Sequence, residues 1–318
     1  MSTVSQETSP SEETRRRPVW LLLILGLVVV SLGIKLVTGT GVVPTLFGPV
    51  FILLLMGLVR ILPPRFPALP LLAGKTRAQL LAEIRPLLAY ALLFPILLIP
   101  VVIWGYFQNL PLFPDRTTNW AVSWNYLIVG KIVLLCLPTV YFVWRYGGSA
   151  QQLGLRGITN IWRWIAPVII LLLYTGLLSL NYLGTKAPGF SPWPVLAVIL
   201  VTFLAAAFPE EFFYRVLLQT RLEALVGRWN GIAISSLFFG LLHLPSRFAF
   251  VWLGHTGNPA LDLTLALKEV FVAQVVEGIF LGYLWARYRN AWINMLLHLI
   301  VDAIPLVLIV AGALLKVS

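Results

Sequence analysis

The chain has 318 residues, 59% of them hydrophobic and only 11% charged, with a mean hydropathy of +0.90. No soluble domain buries that much apolar surface, so composition points to a polytopic membrane protein. The net charge of +11 does not imply nucleic acid, because the basic residues sit in short loops between apolar runs rather than on one folded face.

Residues 1–17 are polar and end in Arg15-Arg16-Arg17, so 1–18 reads as a disordered cytoplasmic tail closed by a basic stop. The run at 19–37 is too long for a signal-peptide core and is expected to remain as an uncleaved span. Crossing about 30 Å of hydrocarbon takes about 20 helical residues. Nine runs meet that length: 19–37, 43–62, 87–107, 123–144, 161–182, 196–218, 231–252, 268–287 and 291–315. The expected fold is therefore an all-α transmembrane bundle of about nine spans. Accessory helices occupy 19–110, and a core at 123–318, which holds everything chemically unusual, fills the C-terminal part. The segment Thr76–Arg85 is expected to form a short interfacial amphipathic helix.

Placing the N-terminus in the cytoplasm puts most of the 23 Lys and Arg on the inner side. Only Lys35, Arg116, Lys186, Arg247, Lys268 and Lys316 fall outside, with Lys131 mid-span. That asymmetry favours nine crossings, N-inside and C-outside. The style of the chain suggests a prokaryotic plasma membrane. Tryptophans such as Trp144, Trp285 and Trp292 flank the spans as an aromatic belt would. Cys136 lies in an apolar run and reads as a small core hydrophobe. His255, in a Gly-rich loop, reads as a solvated histidine.

Three constellations carry chemistry, because an ionisable residue at membrane depth is costly and is presumed functional. The first is Pro209-Glu210-Glu211-Phe212-Phe213-Tyr214-Arg215. Glu211 and Arg215 share a helical face, whereas Glu210 points about 100° away and Pro209 allows a kink. A structural ion pair explains Glu211 and Arg215 but leaves Glu210 without a partner. The second is Phe239-Gly240-Leu241-Leu242-His243, in which Gly240 permits close helix approach. The third is His298-Leu299-Ile300-Val301-Asp302, with imidazole and carboxylate one turn apart. At 1.5 Å per residue, Glu210, His243 and His298 lie about 20, 20 and 10 Å into their spans. All three fall between the midplane and the inner leaflet. Peptide hydrolysis needs a base near neutral pH, which a buried carboxylate can supply. The combination suits a glutamate-plus-histidine hydrolytic site, with or without a metal. If a metal is bound, Glu210, His243 and His298 are the candidate ligands, and Zn2+ the candidate ion. Lys131 and Glu277 read as a buried structural pair; the alternative is that Glu277 borders the pocket and contacts Arg215.

In this order on successive helices, Glu-Glu-x-x-x-Arg, Phe-x-x-x-His and His-x-x-x-Asp resemble the CPBP intramembrane proteases. That family includes the type II CAAX prenyl endopeptidases and bacteriocin-processing or immunity relatives. The resemblance covers about 145–305, including Leu153-Gly154-Leu155-Arg156. It implies an intramembrane endopeptidase acting in the lipid bilayer on a membrane-associated peptide or protein. Glu210 would activate water with help from His243, and Glu211 would be auxiliary and held by Arg215. His298 and residue 302 would steady the oxyanion, with Phe239 in support. Prenyl proteases of the family carry asparagine where this chain has Asp302, and an ionised aspartate cannot donate. Asp302 must then be protonated, bind a metal or serve only to orient His298, and the last is the expectation. Two rival classes use the same residues. One is a transporter or proton relay, against which the absence of an inverted repeat counts. The other is a non-catalytic scaffold or immunity protein, against which the intact Glu210, His243 and His298 count.

Overall fold

A computed structural model describes residues 53–57, 59–60, 72, 74–107, 126–155, 169, 192–254 and 258–315. Among these residues every regular element is helical and there is no strand. We number the long helices α1 (Arg77–Phe107), α2 (126–146), α3 (192–226), α4 (Arg228–Gly254), α5 (259–288) and α6 (Ala291–Leu315). Four stretches are long and apolar enough to cross a membrane: Arg77–Trp104, Ile128–Tyr146, Leu196–Val226 and Arg228–Phe248. Only 28–50% of each apolar window is buried. The outward remainder, including Leu92, Leu93, Ile96, Leu196 and Leu200, is the surface that a lipid environment solvates. The protein is thus an integral membrane protein. The expected spans at 19–37 and 161–182 lie outside the described residues but for residue 169, as does His255.

Helix starts follow local chemistry. Thr76 and Gln79 form a capping box: the Thr76 N–H donates to Gln79 Oε1 at 2.8 Å, and the Gln79 N–H to Thr76 Oγ1 at 3.3 Å. The cap starts α1 at Arg77, so the separate interfacial helix expected at Thr76–Arg85 is instead the first turns of one 31-residue helix. Pro86, Pro95 and Pro100 lie within α1 without ending it. Asn258 caps α5, its side-chain oxygen accepting from the N–H groups of Ala260 and Leu261, with Pro259 pre-set at the first position. That cap moves the start of this helix ahead of the expected 268. Asn290 Oδ1 caps α6 in the same way, accepting from Trp292 and Ile293.

Among the described residues three apolar cores hold the bundle, the smallest joining Phe212 and Val216 of α3 to Trp285 of α5 and Met295 of α6. In the first, Leu87, Phe94 and Leu98 of α1 meet Leu135 of α2, Phe213 and Leu217 of α3, and Phe239 and Leu242 of α4. In the second, Val276, Phe280 and Leu284 of α5 meet Ile293 and Leu297 of α6 and the N-terminal Leu55 and Val59. Arg287 closes that contact by donating from Nε to the Val59 carbonyl at 3.0 Å and from a terminal nitrogen to that of Arg60 at 3.1 Å. It locks the N-terminal helical segment to α5. Trp285 departs from the aromatic belt. It is fully buried, and its indole N–H donates to Thr220 Oγ1 at 3.0 Å. Trp144 and Trp292 do face outward. Gly154, at φ +77°, lies where a Cβ would come within 2.9 Å of the Trp285 ring, and its carbonyl accepts from Ala291 N–H. Only glycine combines that backbone with that approach.

Candidate functional site

The site forms where α2, α3, α4 and α6 converge. Helix α3 does not pass through it as a regular α-helix. Phe208–Glu210 is a short α turn between π-helical segments at Phe203–Ala207 and Glu211–Gln219. Such wide turns recur at functional sites, because they re-aim side chains away from simple 3.6-residue spacing. Glu210 and Glu211 meet the same imidazole from its two sides, Glu211 at His298 Nδ1 and Glu210 near Nε2.

Glu211 is fully buried and serves as the organiser. Its Oε1 accepts from His298 Nδ1 at 2.9 Å and its Oε2 from Asn294 Nδ2 at 3.0 Å. Arg215 Nε lies 3.4 Å from Oε2. The guanidinium of Arg215 stacks 4.5 Å from the centre of the Phe239 ring, a cation–π arrangement. Phe239 also packs edge-on to His243 and His298, with ring centres 5.0 and 5.8 Å away. This aromatic wall fixes both imidazoles. His243 Nδ1–H donates to the Phe239 carbonyl at 3.0 Å, which leaves Nε2 facing inward.

Glu210 is fully buried, and its two oxygens differ. Oε1 accepts from the Lys131 ammonium. Oε2 has no hydrogen-bond partner, and lies 3.8 Å from His243 Nε2 and 3.7 Å from His298 Nε2. The expected pairing of Lys131 with Glu277 is therefore replaced by Lys131 with Glu210. Glu277 instead has a buried Oε1 without a hydrogen bond, within electrostatic reach of His298, Asp302, Glu211 and Glu210. It borders the site, as the alternative expected, but among the described residues it makes no ion pair with Arg215.

Asp302 Oδ2 sits 3.4 Å from His298 Nε2. Asp302 thus stands beside Nε2 of His298, while the hydrogen bond at Nδ1 comes from Glu211, a second carboxylate on the ring that the expectation did not include. Its side chain is 39% exposed, against 3% for His298 and 14% for His243. The open edge of the centre therefore lies at Asp302 and His243.

The donors do not suit a resident cation. Among the described residues no group of three His, Cys, Asp or Glu is arranged to hold a metal ion. The Glu210 carboxylate is already neutralised by Lys131. A second cation beside that ammonium would be repelled at close range in a low-dielectric setting.

Sequence reasoning brought Glu210, Glu211, Arg215, Phe239, His243, His298 and Asp302 to one region, and the structure does bring them together. It missed Asn294, although Asn294, His298 and Asp302 follow at successive four-residue steps on one face of α6. Asn294 Nδ2 also donates to the Leu281 carbonyl at 2.8 Å, so it ties α5 and α6 to Glu211.

Residues 192–304 match the family model described as type II CAAX prenyl endopeptidase Rce1-like. The match begins at 192, so the Leu153–Arg156 motif and Lys131 lie before it. No curated protein and no solved structure matches the chain. Glu210, Glu211, His243, His298 and Asp302 all lie inside this segment, so residues 192–304 are a segment that matches the Rce1-like, type II CAAX prenyl endopeptidase model.

Proposed function

We propose that the protein is an intramembrane endopeptidase that hydrolyses a peptide bond of a membrane-associated, prenylated peptide or protein, with water activated by Glu210. The observation that carries this reading is the buried, unpartnered Oε2 of Glu210 with two imidazole Nε2 atoms 3.7 and 3.8 Å away. Hydrogen bonds of about 2.8 Å allow one water to bridge atoms that far apart. In the proposed step the water oxygen forms a bond to the scissile carbonyl carbon. Its proton passes to Glu210 Oε2, and His243 Nε2 accepts the water's second hydrogen bond. In this step His298 acts as an imidazolium with a proton on each ring nitrogen: Nδ1–H donates to Glu211, and Nε2–H donates to the developing oxyanion. The proton on Glu210 then goes to the departing amine as the carbon–nitrogen bond breaks. Asp302, at the open edge, lies where the peptide enters.

The finer topology belongs to the same proposal: about nine crossings, the N-terminus cytoplasmic, and residence in a prokaryotic plasma membrane. The polar centre among apolar helix faces supports a peptide delivered from the bilayer rather than from bulk water. The test uses the full chain in liposomes with a farnesylated peptide ending in a CAAX sequence, following release of the C-terminal tripeptide by mass. Glu210→Gln is expected to lower the rate by about 10²-fold or more, the usual contribution of a positioned base. Cleavage at the wild-type rate by folded Glu210→Gln protein would reject the mechanism.

A further inference from the structure

We propose that Lys131 is a positioning residue of the hydrolytic centre: it holds Glu210 through Oε1, so that Oε2 alone is presented to the imidazoles. The proposal rests on the reading of Glu210 as the base. Lys131 lies on α2, ahead of the segment that matches the family model, and is only 7% exposed. A lysine at this depth is costly without a charge partner. Its ammonium is on Glu210, and it reaches there from a helix separate from those that carry the carboxylates and imidazoles.

The two adjacent carboxylates thus have separate cations. Arg215 serves Glu211 from the same helix, in the planar geometry that also stacks on Phe239. Lys131 serves Glu210 across the bundle as a compact point charge on a flexible stem. A second contact from α2 supports the same function. Thr139 Oγ1, two turns beyond Lys131, lies 3.5 Å from the carbonyl of Pro209, the residue before Glu210. One helix therefore braces both the backbone and the side chain of the Glu210 turn. Without Lys131, Glu210 would be a buried carboxylate with no fixed charge opposite it and no reason to keep one oxygen free. In this site the chain's own ammonium takes the charge-balancing place that a metal ion fills in other hydrolytic centres.

The test compares full-length wild type, Lys131→Met, Lys131→Arg and Glu210→Gln in liposomes, with cleavage of the farnesylated peptide and reversible unfolding as readouts. Lys131→Met is expected to lower kcat by about 10- to 100-fold, part of the effect of a positioned base, with KM changed less than about twofold because the peptide does not touch Lys131. Lys131→Arg, which keeps the charge, is expected to recover part of kcat and shows the dependence even where the Met variant does not fold. In unfolding, Lys131→Met should destabilise the wild type and cost clearly less in a Glu210→Gln background, where only a neutral amide oxygen faces the ammonium. An unchanged kcat in folded Lys131→Met, or a loss confined to KM, would overturn the proposal. So would an equal destabilisation in both backgrounds, which would mark Lys131 as a packing residue unrelated to Glu210. Full activity in Glu210→Gln would remove the endopeptidase mechanism as well, whereas an inactive Glu210→Gln with no Lys131 coupling would remove only the role of Lys131.

Discussion

Replacing Glu211 by alanine separates the organising carboxylate from the reacting one. Glu211 accepts hydrogen bonds from His298 at 2.9 Å and Asn294 at 3.0 Å, and is the ion partner of Arg215 at 3.4 Å. Two hydrogen bonds to a charged group are worth about 1.5–3 kcal/mol each. Removing one member of a buried ion pair costs about 3–5 kcal/mol, because the other charge stays buried. The two estimates describe overlapping interactions, so the loss should be about 3–5 kcal/mol rather than their sum. Arg215 makes the upper end appropriate: it is fully buried, and among the described residues none of its side-chain nitrogens has a hydrogen-bond partner. The Phe239 face alone would have to stabilise it, at about 2 kcal/mol for a desolvated cation–π contact. Reversible unfolding in mixed detergent micelles measures the change. Glu210→Gln, which keeps the shape and leaves Lys131 able to donate to an amide oxygen, should lose clearly less stability while losing activity. A Glu211→Ala variant within about 1 kcal/mol of wild type, the range of an exposed pair, would refute the assignment of Glu211 as organiser.

Other consequences are open to measurement. Gly154→Ala forces a Cβ to 2.9 Å from the Trp285 ring at φ +77°, and should cost about 1–3 kcal/mol by overpacking alone; an unfolding curve superimposable on wild type would contradict it. Gly240→Ala sets a Cβ 2.3 Å from Val275 Cγ2. It should push α4 from α5 and lower cleavage through displacement of His243, with thermal unfolding and rate as joint readouts. Glu83→Ala strips the ion partner at 2.8 Å from the fully buried Arg221, which also donates to the Leu217 and Tyr146 carbonyls. Those remaining bonds should limit the loss to about 1.5–3 kcal/mol, without a change in KM. Dialysis against a strong chelator should leave peptide cleavage unchanged; a loss restored by added zinc would show that Glu210 and the histidines do bind a cation despite Lys131.

The helical bundle was legible because apolar runs of membrane length leave few other folds. The convergence of Glu210, His243 and His298 followed from depth along each span, a quantity that sequence spacing reports well. Three features were not legible, each for a physical reason. The boundary at Arg77 was set by the Thr76–Gln79 capping box, a signal present in the sequence but outweighed by the basic character of the segment. The partner of Lys131 was mistaken because two buried carboxylates lie at similar depths, and depth does not say which helix is the neighbour. The role of Asp302 depended on which nitrogen of His298 each carboxylate meets. Glu211 takes Nδ1 and Asp302 stands at Nε2, a division set by how α3 and α6 pack, which spacing within either helix does not report.

The central claim is that Glu210, His243 and His298 act on one water at one point inside the bilayer. Its most direct measurement is the cleavage rate of Glu210→Gln, His243→Ala and the double variant, each confirmed folded in liposomes. Residues that work as a unit give non-additive losses, so the double variant should be about as slow as the slower single one. Losses that multiply in the double variant, or a single variant that cleaves at the wild-type rate, would contradict it.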